Sequence, residues 1–239
     1  MRGKLIVFEG VEGCGKTTQL QVMQAWLTGS GLAEQQETEK LNSLVAQNFL
    51  PGNTRLNAPQ FSGLMVTREP GGTELGVGLR QLLLENKQQP IQERAELLLY
   101  AADRAQHVEE VIAPHLAKGV IILCDRYTDS TIAYQGYGRG LSLTLIEQLN
   151  QVATGGLASD LTLWLDVDVE IGLARTRRRG AADRMEQADL GFHRRVQQGY
   201  TELAKANPQR MVRVDASCSQ ELVTKQIQEI LSQKFTEWQ

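Results

Sequence analysis

The stretch that most constrains the fold lies near the start of the chain. There the apolar run Lys4 to Glu9 (KLIVFE) leads directly into Gly10-Val-Glu-Gly-Cys-Gly15-Lys16-Thr17. A short β-branched apolar run reads as a buried strand, and the residues after it satisfy G-x-x-x-x-G-K-[ST] in full. Glycines permit a tight loop whose amides turn inward, and a helix opening at Lys16 adds its positive end. Such a loop cradles a nucleotide polyphosphate, with Gly10, Val11, Glu12, Gly13, Cys14, Gly15, Lys16, Thr17 and Thr18 as the binding residues. Lys16 would reach the β- and γ-phosphates, and the Thr17 hydroxyl would hold Mg²⁺.

The rest of the chain alternates strand and helix. Gly63 to Thr67, Val120 to Asp125 (VIILCD), Leu161 to Asp166 (LTLWLD) and Met211 to Asp215 are strand candidates. Lys16 to about Leu27, Thr73 to Leu84, Arg94 to Ala117 and Ser219 to Phe235 read as helices, with Thr73 placed as an N-cap and Leu75, Leu79, Leu82 and Leu83 sharing a face. Strands separated by helices imply a five-stranded parallel sheet covered on both faces, in a single domain over residues 1–239. Gly29 to Ser62 departs from this pattern. It has weak periodicity and only five charged residues, so it reads as an insertion, partly mobile, with a short helix possible over Leu41 to Phe49.

Composition narrows the functional class. Apolar residues make up 41% and charged residues 22%, values of a globular chain rather than a disordered one. No apolar run approaches the roughly 18 residues needed to span a bilayer, and the opening residues are no secretory leader. Three cysteines without ligand spacing argue against a disulfide framework or a zinc site. The expected location is cytoplasmic. A net charge of −3 argues against a nucleic-acid coat. Yet 17 of the 25 basic residues are arginine, and seven of those fall between Arg175 and Arg195. Arginine's planar fork suits bidentate contact with phosphate, which points to a small phosphorylated ligand.

Asp125-Arg126-Tyr127 ends the most apolar strand, where open α/β sheets place their ligands. Asp125 is a second candidate for Mg²⁺, and Arg126 for a second phosphate. Together with FEGVEGCGKTT (8 to 18), the segments TREPGGT (67 to 73), YAADRAQH (100 to 107), DRYTDSTIAYQG (125 to 136) and RTRRRGAADRMEQ (175 to 187) resemble bacterial thymidylate kinases. The resemblance spans nearly the whole chain, with the 29–62 insertion as its one large departure. It implies an α/β P-loop nucleoside monophosphate kinase with a lid near Arg175 to Ala188, ATP as donor and dTMP as acceptor. By the same resemblance Arg68 and Arg126 contact the acceptor phosphate, Tyr100 stacks on thymine and Arg104 bonds a thymine carbonyl. Thr131 and Gln135 line the pocket, and Tyr134 crowds the sugar C2′ position. A homodimer is also implied.

The acceptor phosphate of such a reaction is already mostly a dianion at pH 7, its second pKa being about 6, so no general base is needed. Positive charge is needed instead. Members of the resembled family supply a catalytic arginine from the phosphate loop or from the lid. Here the loop offers Val11, Glu12, Gly13 and Cys14, so the lid is expected to supply it, through Arg177 or Arg179 with Arg184 assisting. Lys16 and Glu12 complete the catalytic set, Glu12 positioning the lid, the acceptor or a metal-bound water. Other readings are a kinase for a different nucleotide or a deoxynucleoside, a non-catalytic nucleotide sensor, and a nucleic-acid binder. A GTPase lacks support, since Asn86-Lys87-Gln88-Gln89 has no aspartate for N-K-x-D.

Overall fold

The apolar runs pair edge to edge around the strand that precedes the phosphate loop. The computed structural model describes residues 1–29, 48–51, 61–85, 90–178 and 184–239. β1 (Leu5–Glu9) lies between β4 (Val120–Asp125) and β5 (Leu161–Asp166). β3 (Gly63–Arg68) pairs with β4 and β6 (Met211–Asp215) with β5, all parallel. The five parallel strands match the expected sheet. A sixth, β2 (Asn48–Pro51), adds antiparallel to β3 at one edge. The sequence gives little sign of β2, because it is four residues long with a proline at its end, a composition tolerated only at an edge.

All five residues of β1 are buried, which is why Leu5 to Phe8 are continuously apolar rather than alternating. Ile6 and Phe8 point into one core cluster and Leu5 and Val7 into another. Helix α1 (Lys16–Thr28) lies on the first side with Leu20, Met23 and Leu27. On the same side are α8 (Leu190–Ala206) with Phe192, Val196 and Tyr200, and α9 (Gln220–Glu237) with Val223, Ile227 and Leu231. Val108, Val111, Ile112 and Leu116 cover the second side.

Helix α2 (Glu74–Leu84) begins where expected, with the Thr73 hydroxyl accepting from the Gly76 amide at 2.9 Å. Its apolar face differs from the expectation: Leu83 is buried, whereas Leu75 and Leu82 are 53% and 43% exposed. The helix anticipated over 94–117 is α3 (Glu93–His107), a π-helical segment (Val108–Ile112) and α4 (Ala113–Ala117). After β4 come α5 (Thr128–Thr131), a second π segment (Ile132–Gly138) and α6 (Leu143–Thr154). Helix α7 (Val169–Arg177) leads into the arginine-rich run. Helices α6 and α8 have no counterpart in the sequence reading. Of the short helix anticipated over 41–49, residues 41–47 lie outside the described residues, and Asn48 and Phe49 belong to β2.

Candidate active site

The carboxyl ends of β1, β3 and β4 come together where the strand order reverses around β1, the place where open α/β sheets bind ligands. The loop after β1 needs its glycines for two separate reasons. Gly13 has φ 72°, and a Cβ there would lie 2.0 Å from the Gly172 carbonyl oxygen of α7. Gly15 has φ 99° with nothing among the described residues within 4 Å of an added Cβ, so there the backbone sign alone requires glycine. The Lys16 ammonium is buried and donates to the carbonyls of Gly10 (3.0 Å) and Val11 (3.2 Å) and to Cys14 Sγ (3.4 Å). Its charge therefore sits inside the loop it stabilises.

Glu9, at the end of β1, holds the opposite wall. Its buried carboxylate accepts from the Tyr127 amide (2.8 Å), the Ser130 amide (3.1 Å), the Ser130 hydroxyl (2.6 Å) and the Tyr200 hydroxyl (2.8 Å). These bonds fix the chain just after Arg126, which has φ 70°, a conformation that costs a non-glycine residue of order 1–2 kcal/mol. The left-handed step turns the guanidinium across the loop. There it donates to Glu12 Oε1 at 2.6 Å and to the Gly10 carbonyl at 3.2 Å, and lies 4.8 Å from the Tyr134 ring centre. Tyr134 also donates to Glu12 Oε1, at 2.9 Å. Burial would raise the Glu12 pKa, but Arg126 and Lys16 outweigh it and hold it at about 2. Glu12 is thus an anion at any neutral pH.

The Thr17 hydroxyl lies 3.4 Å from Asp125 Oδ2, a long hydrogen bond, and Asp125 Oδ1 is buried with no hydrogen-bond partner among the described residues. A buried carboxylate oxygen without a donor is costly. Hydroxyl and carboxylate oxygens are suited to Mg²⁺, which commonly takes one or two protein oxygens and completes its octahedron with phosphate and water. Thr17 and Asp125 therefore fit that ion.

Beside this point a cleft is lined by Lys16, Thr17, Thr18, Arg68, Arg80, Asp125 and Arg126. The Arg68 side chain has no hydrogen bond or ion pair among the described residues, and Arg80 donates to the Pro70 carbonyl at 2.9 Å. Burial, and then Arg68, push the Arg80 pKa down, the sign of cations held together without enough anions. Arg80 was not identified from the sequence. Its position, two helical turns beyond TREPGGT, was the available signal.

The cleft continues into a pocket lined by Tyr100, Arg104, Arg126, Thr131, Tyr134 and Gln135, so every candidate acceptor residue except Arg68 lines it. Arg104 is pinned from within. It donates to Glu69 Oε2 (2.8 Å), Thr131 Oγ1 (2.9 Å), Asn150 Oδ1 (2.8 Å) and the Tyr127 carbonyl (3.0 Å). His107 bridges Glu69 Oε1 (3.0 Å) and Thr67 Oγ1 (2.7 Å), and the Gly71 amide donates to Asp103 at 3.0 Å. A Cβ on Gly72 would meet the His107 ring at 2.4 Å. TREPGGT and YAADRAQH are thus two halves of one packed unit. That relation is invisible to a reading taken along the chain.

On the other side of the phosphate loop a second cleft is lined by Gly13, Cys14, Gly15, Thr18, Gln19, Arg175, Ala216 and Cys218. Arg175 donates to the Ala216 carbonyl at 3.3 Å. Of the expected lid arginines, Arg177 is exposed at the end of α7 and Arg179 lies outside the described residues. Arg184 turns toward the base of the acceptor pocket, donating to Glu96 Oε2 at 2.5 Å and to the Leu83 carbonyl at 2.8 Å. None of the described lid arginines lines the cleft at Lys16 and Asp125.

Comparison with known proteins agrees with this geometry. The family model for thymidylate kinase matches residues 53–227. The thymidylate kinase of Trichodesmium erythraeum (strain IMS101) is 57% identical over 240 aligned positions, covering 100% of this chain and 99% of that protein. That of Nostoc punctiforme (strain ATCC 29133 / PCC 73102) is 57% identical, covering 97% of this chain and 96% of that protein. That of Cyanothece sp. (strain PCC 7425 / ATCC 29141) is 56% identical, with 100% and 97% covered. On both the family match and these end-to-end relatives, the chain belongs to the thymidylate kinase family.

Proposed function

We propose that this chain transfers the γ-phosphoryl group of ATP to dTMP, giving ADP and dTDP for dTTP synthesis. The observation that carries the reading is one continuous cleft. It runs from the phosphate loop, past the Thr17–Asp125 pair and the cations Arg68, Arg80 and Arg126, to a pocket flanked by Tyr100, Arg104, Thr131, Tyr134 and Gln135. The cleft on the far side of the loop, beside Arg175 and Ala216, takes the ATP nucleoside.

In this reading the loop amides and Lys16 hold the ATP phosphates. Arg68, Arg80 and Arg126 hold the acceptor phosphate in line with them, and Tyr100 stacks on the base. Thr17 and Asp125 hold Mg²⁺, which when bound neutralises charge on the β- and γ-phosphates. No general base is required of the protein, because the acceptor arrives as a dianion. Glu12, ionised and pinned by Arg126 and Tyr134, keeps Arg126 in place and anchors the Tyr134 ring at the pocket wall through its hydroxyl. The lid supplies the catalytic arginine, Arg177 or Arg179. Arg184 assists by tying the returning limb of the lid to α2 and α3.

The whole chain acts as a single domain, and the resemblance carries a cytoplasmic location. No helix among the described residues is long and apolar enough to cross a membrane. A homodimer is supported by the exposed Leu75 and Leu82 of α2 and Leu98 of α3, large apolar side chains that a second copy would cover.

The decisive measurement is ADP release from Mg-ATP with dTMP, dUMP, dCMP, AMP, GMP and thymidine as separate acceptors. Turnover should be strongest with dTMP. Preference for another acceptor would discard the thymine-pocket roles, and no acceptor-dependent turnover from folded protein would discard the function.

A further inference from the structure

Glu96 lies on α3 one turn before Tyr100, so its side chain shares that face of the helix. It is 1% exposed. Gln135 Nε2 donates to its Oε1 at 2.8 Å and Arg184 Nη2 to its Oε2 at 2.5 Å, while Arg139 approaches both oxygens at 3.4 Å. A carboxylate set between two guanidinium groups presents acceptors only. The Gln135 amide beside it can therefore turn only its NH₂ inward. The two ends of a planar amide are opposed, so Gln135 Oε1 is the atom left for the acceptor pocket that this residue lines. That orientation follows from the neighbour's chemistry and needs no direct sight of nitrogen against oxygen.

With Arg104 beside it as donor, the pocket offers a donor next to an acceptor. The complementary edge is a carbonyl next to an N–H, which is the imide of thymine or uracil. Cytosine presents a bare N3 and an amino group at the same place, so its N3 would face the Gln135 oxygen, lone pair against lone pair. We infer that Glu96 is a positioning residue for base specificity, locking Gln135 with its oxygen toward the N3–H of the acceptor base. The inference rests on the dTMP reading given above. Glu96 also ties this amide to the returning limb of the lid through Arg184, whose backbone amide donates in turn to the Leu84 carbonyl of α2 at 3.1 Å.

A carboxylate that merely neutralised two arginines would affect all acceptors alike, so the ratio between acceptors is the informative readout. Steady-state kinetics with dTMP, dUMP and dCMP on the unaltered chain, Glu96→Asp and Glu96→Gln separate the two roles. Glu96→Gln gives Gln135 a neighbour that can donate to its oxygen, allowing the amide to turn. The KM for dTMP should rise about tenfold or more with little change in kcat, and the dTMP:dCMP ratio of kcat/KM should narrow by roughly a hundredfold. Glu96→Asp, which keeps the carboxylate, should retain the ratio. A folded Glu96→Gln protein with unchanged KM and ratio would overturn the inference.

Calorimetry on the unaltered chain gives a test that does not depend on a variant folding. N3-methyl-dTMP should bind roughly a hundredfold more weakly than dTMP, and equal binding would overturn the role given to Gln135 and Glu96. If the unaltered chain neither bound nor turned over dTMP, the proposed function itself would fall and this inference with it. Turnover of dTMP with an unmoved acceptor ratio would remove only Glu96.

Discussion

The arginines of the acceptor wall and those of the lid carry the same charge in opposite circumstances. Arg104 is 2% exposed and meets Glu69, Thr131, Asn150 and the Tyr127 carbonyl, and Arg126 meets Glu12, whose pKa it holds at about 2. Their positions are set by the folded protein before any ligand arrives. Arg177 and Arg178 are exposed and have no ion pair among the described residues. A guanidinium already matched by a carboxylate can orient a ligand but adds little new charge to a transition state. An unmatched one can be delivered to a transferring phosphoryl group with its charge intact. Arg104 and Arg126 are thus matched cations that fix geometry, whereas Arg68 and Arg80 in the phosphate cleft and Arg177 at the start of the lid carry charge with no carboxylate partner among the described residues.

The largest effect that would break this division belongs to the lid. Arg177→Ala or Arg179→Ala should lower kcat by roughly a thousandfold or more, the range an arginine finger contributes. The Arg177 change should alter unfolding free energy by less than about 0.5 kcal/mol, as expected for an exposed residue. Near-normal kcat in both variants would return the catalytic charge to the wall.

Next in size is the wall itself. Arg126→Met leaves Glu12 without its strongest partner and should destabilise the chain by about 3–5 kcal/mol in urea unfolding. The double variant Glu12→Gln/Arg126→Met should recover part of that loss. Equal stability of the single variant and the unaltered chain would show that the pair is not buried in solution.

The smallest effect sharpens the wall's internal economy. Asp103 Oδ2 has no partner among the described residues, and burial, then Glu69, raise its pKa from 3.8 to about 6. A carboxyl raised on folding contributes stability that is full below about pH 4 and lost as pH rises through about 6. Asp103→Asn should therefore match the unaltered chain below pH 4 and exceed it by about 3 kcal/mol above pH 6. A difference that did not vary with pH, in thermal melts across that range, would refute the assignment.

Much of the site was legible because its signals are local. The phosphate loop is contiguous, its strand is apolar from Leu5 to Phe8, and the Asp125-Arg126 pair sits at the end of another apolar strand. Residues that act across the fold were not legible. Arg80, Glu69 and Glu96 carry no pattern of their own. Glu69 gains meaning only from Arg104 and His107, some 35 residues away, and Glu96 only from Gln135 and Arg184. The apolar stripe on α2 misled for a related reason. Periodicity reports that Leu75 and Leu82 share a face with Leu83, but not what that face meets.

By itself the sequence determined which backbone segments could be strand, loop or helix, and where a polyphosphate could sit. Those properties follow from side-chain branching, glycine freedom and the spacing of a few residues. Only the tertiary structure decided how charge is spent. It placed Glu12 against Arg126, left Asp125 Oδ1 without a donor among the described residues, and turned Arg184 away from the phosphate cleft toward Glu96. Desolvation and pairing depend on distances between segments far apart in the chain, and folding alone sets those distances.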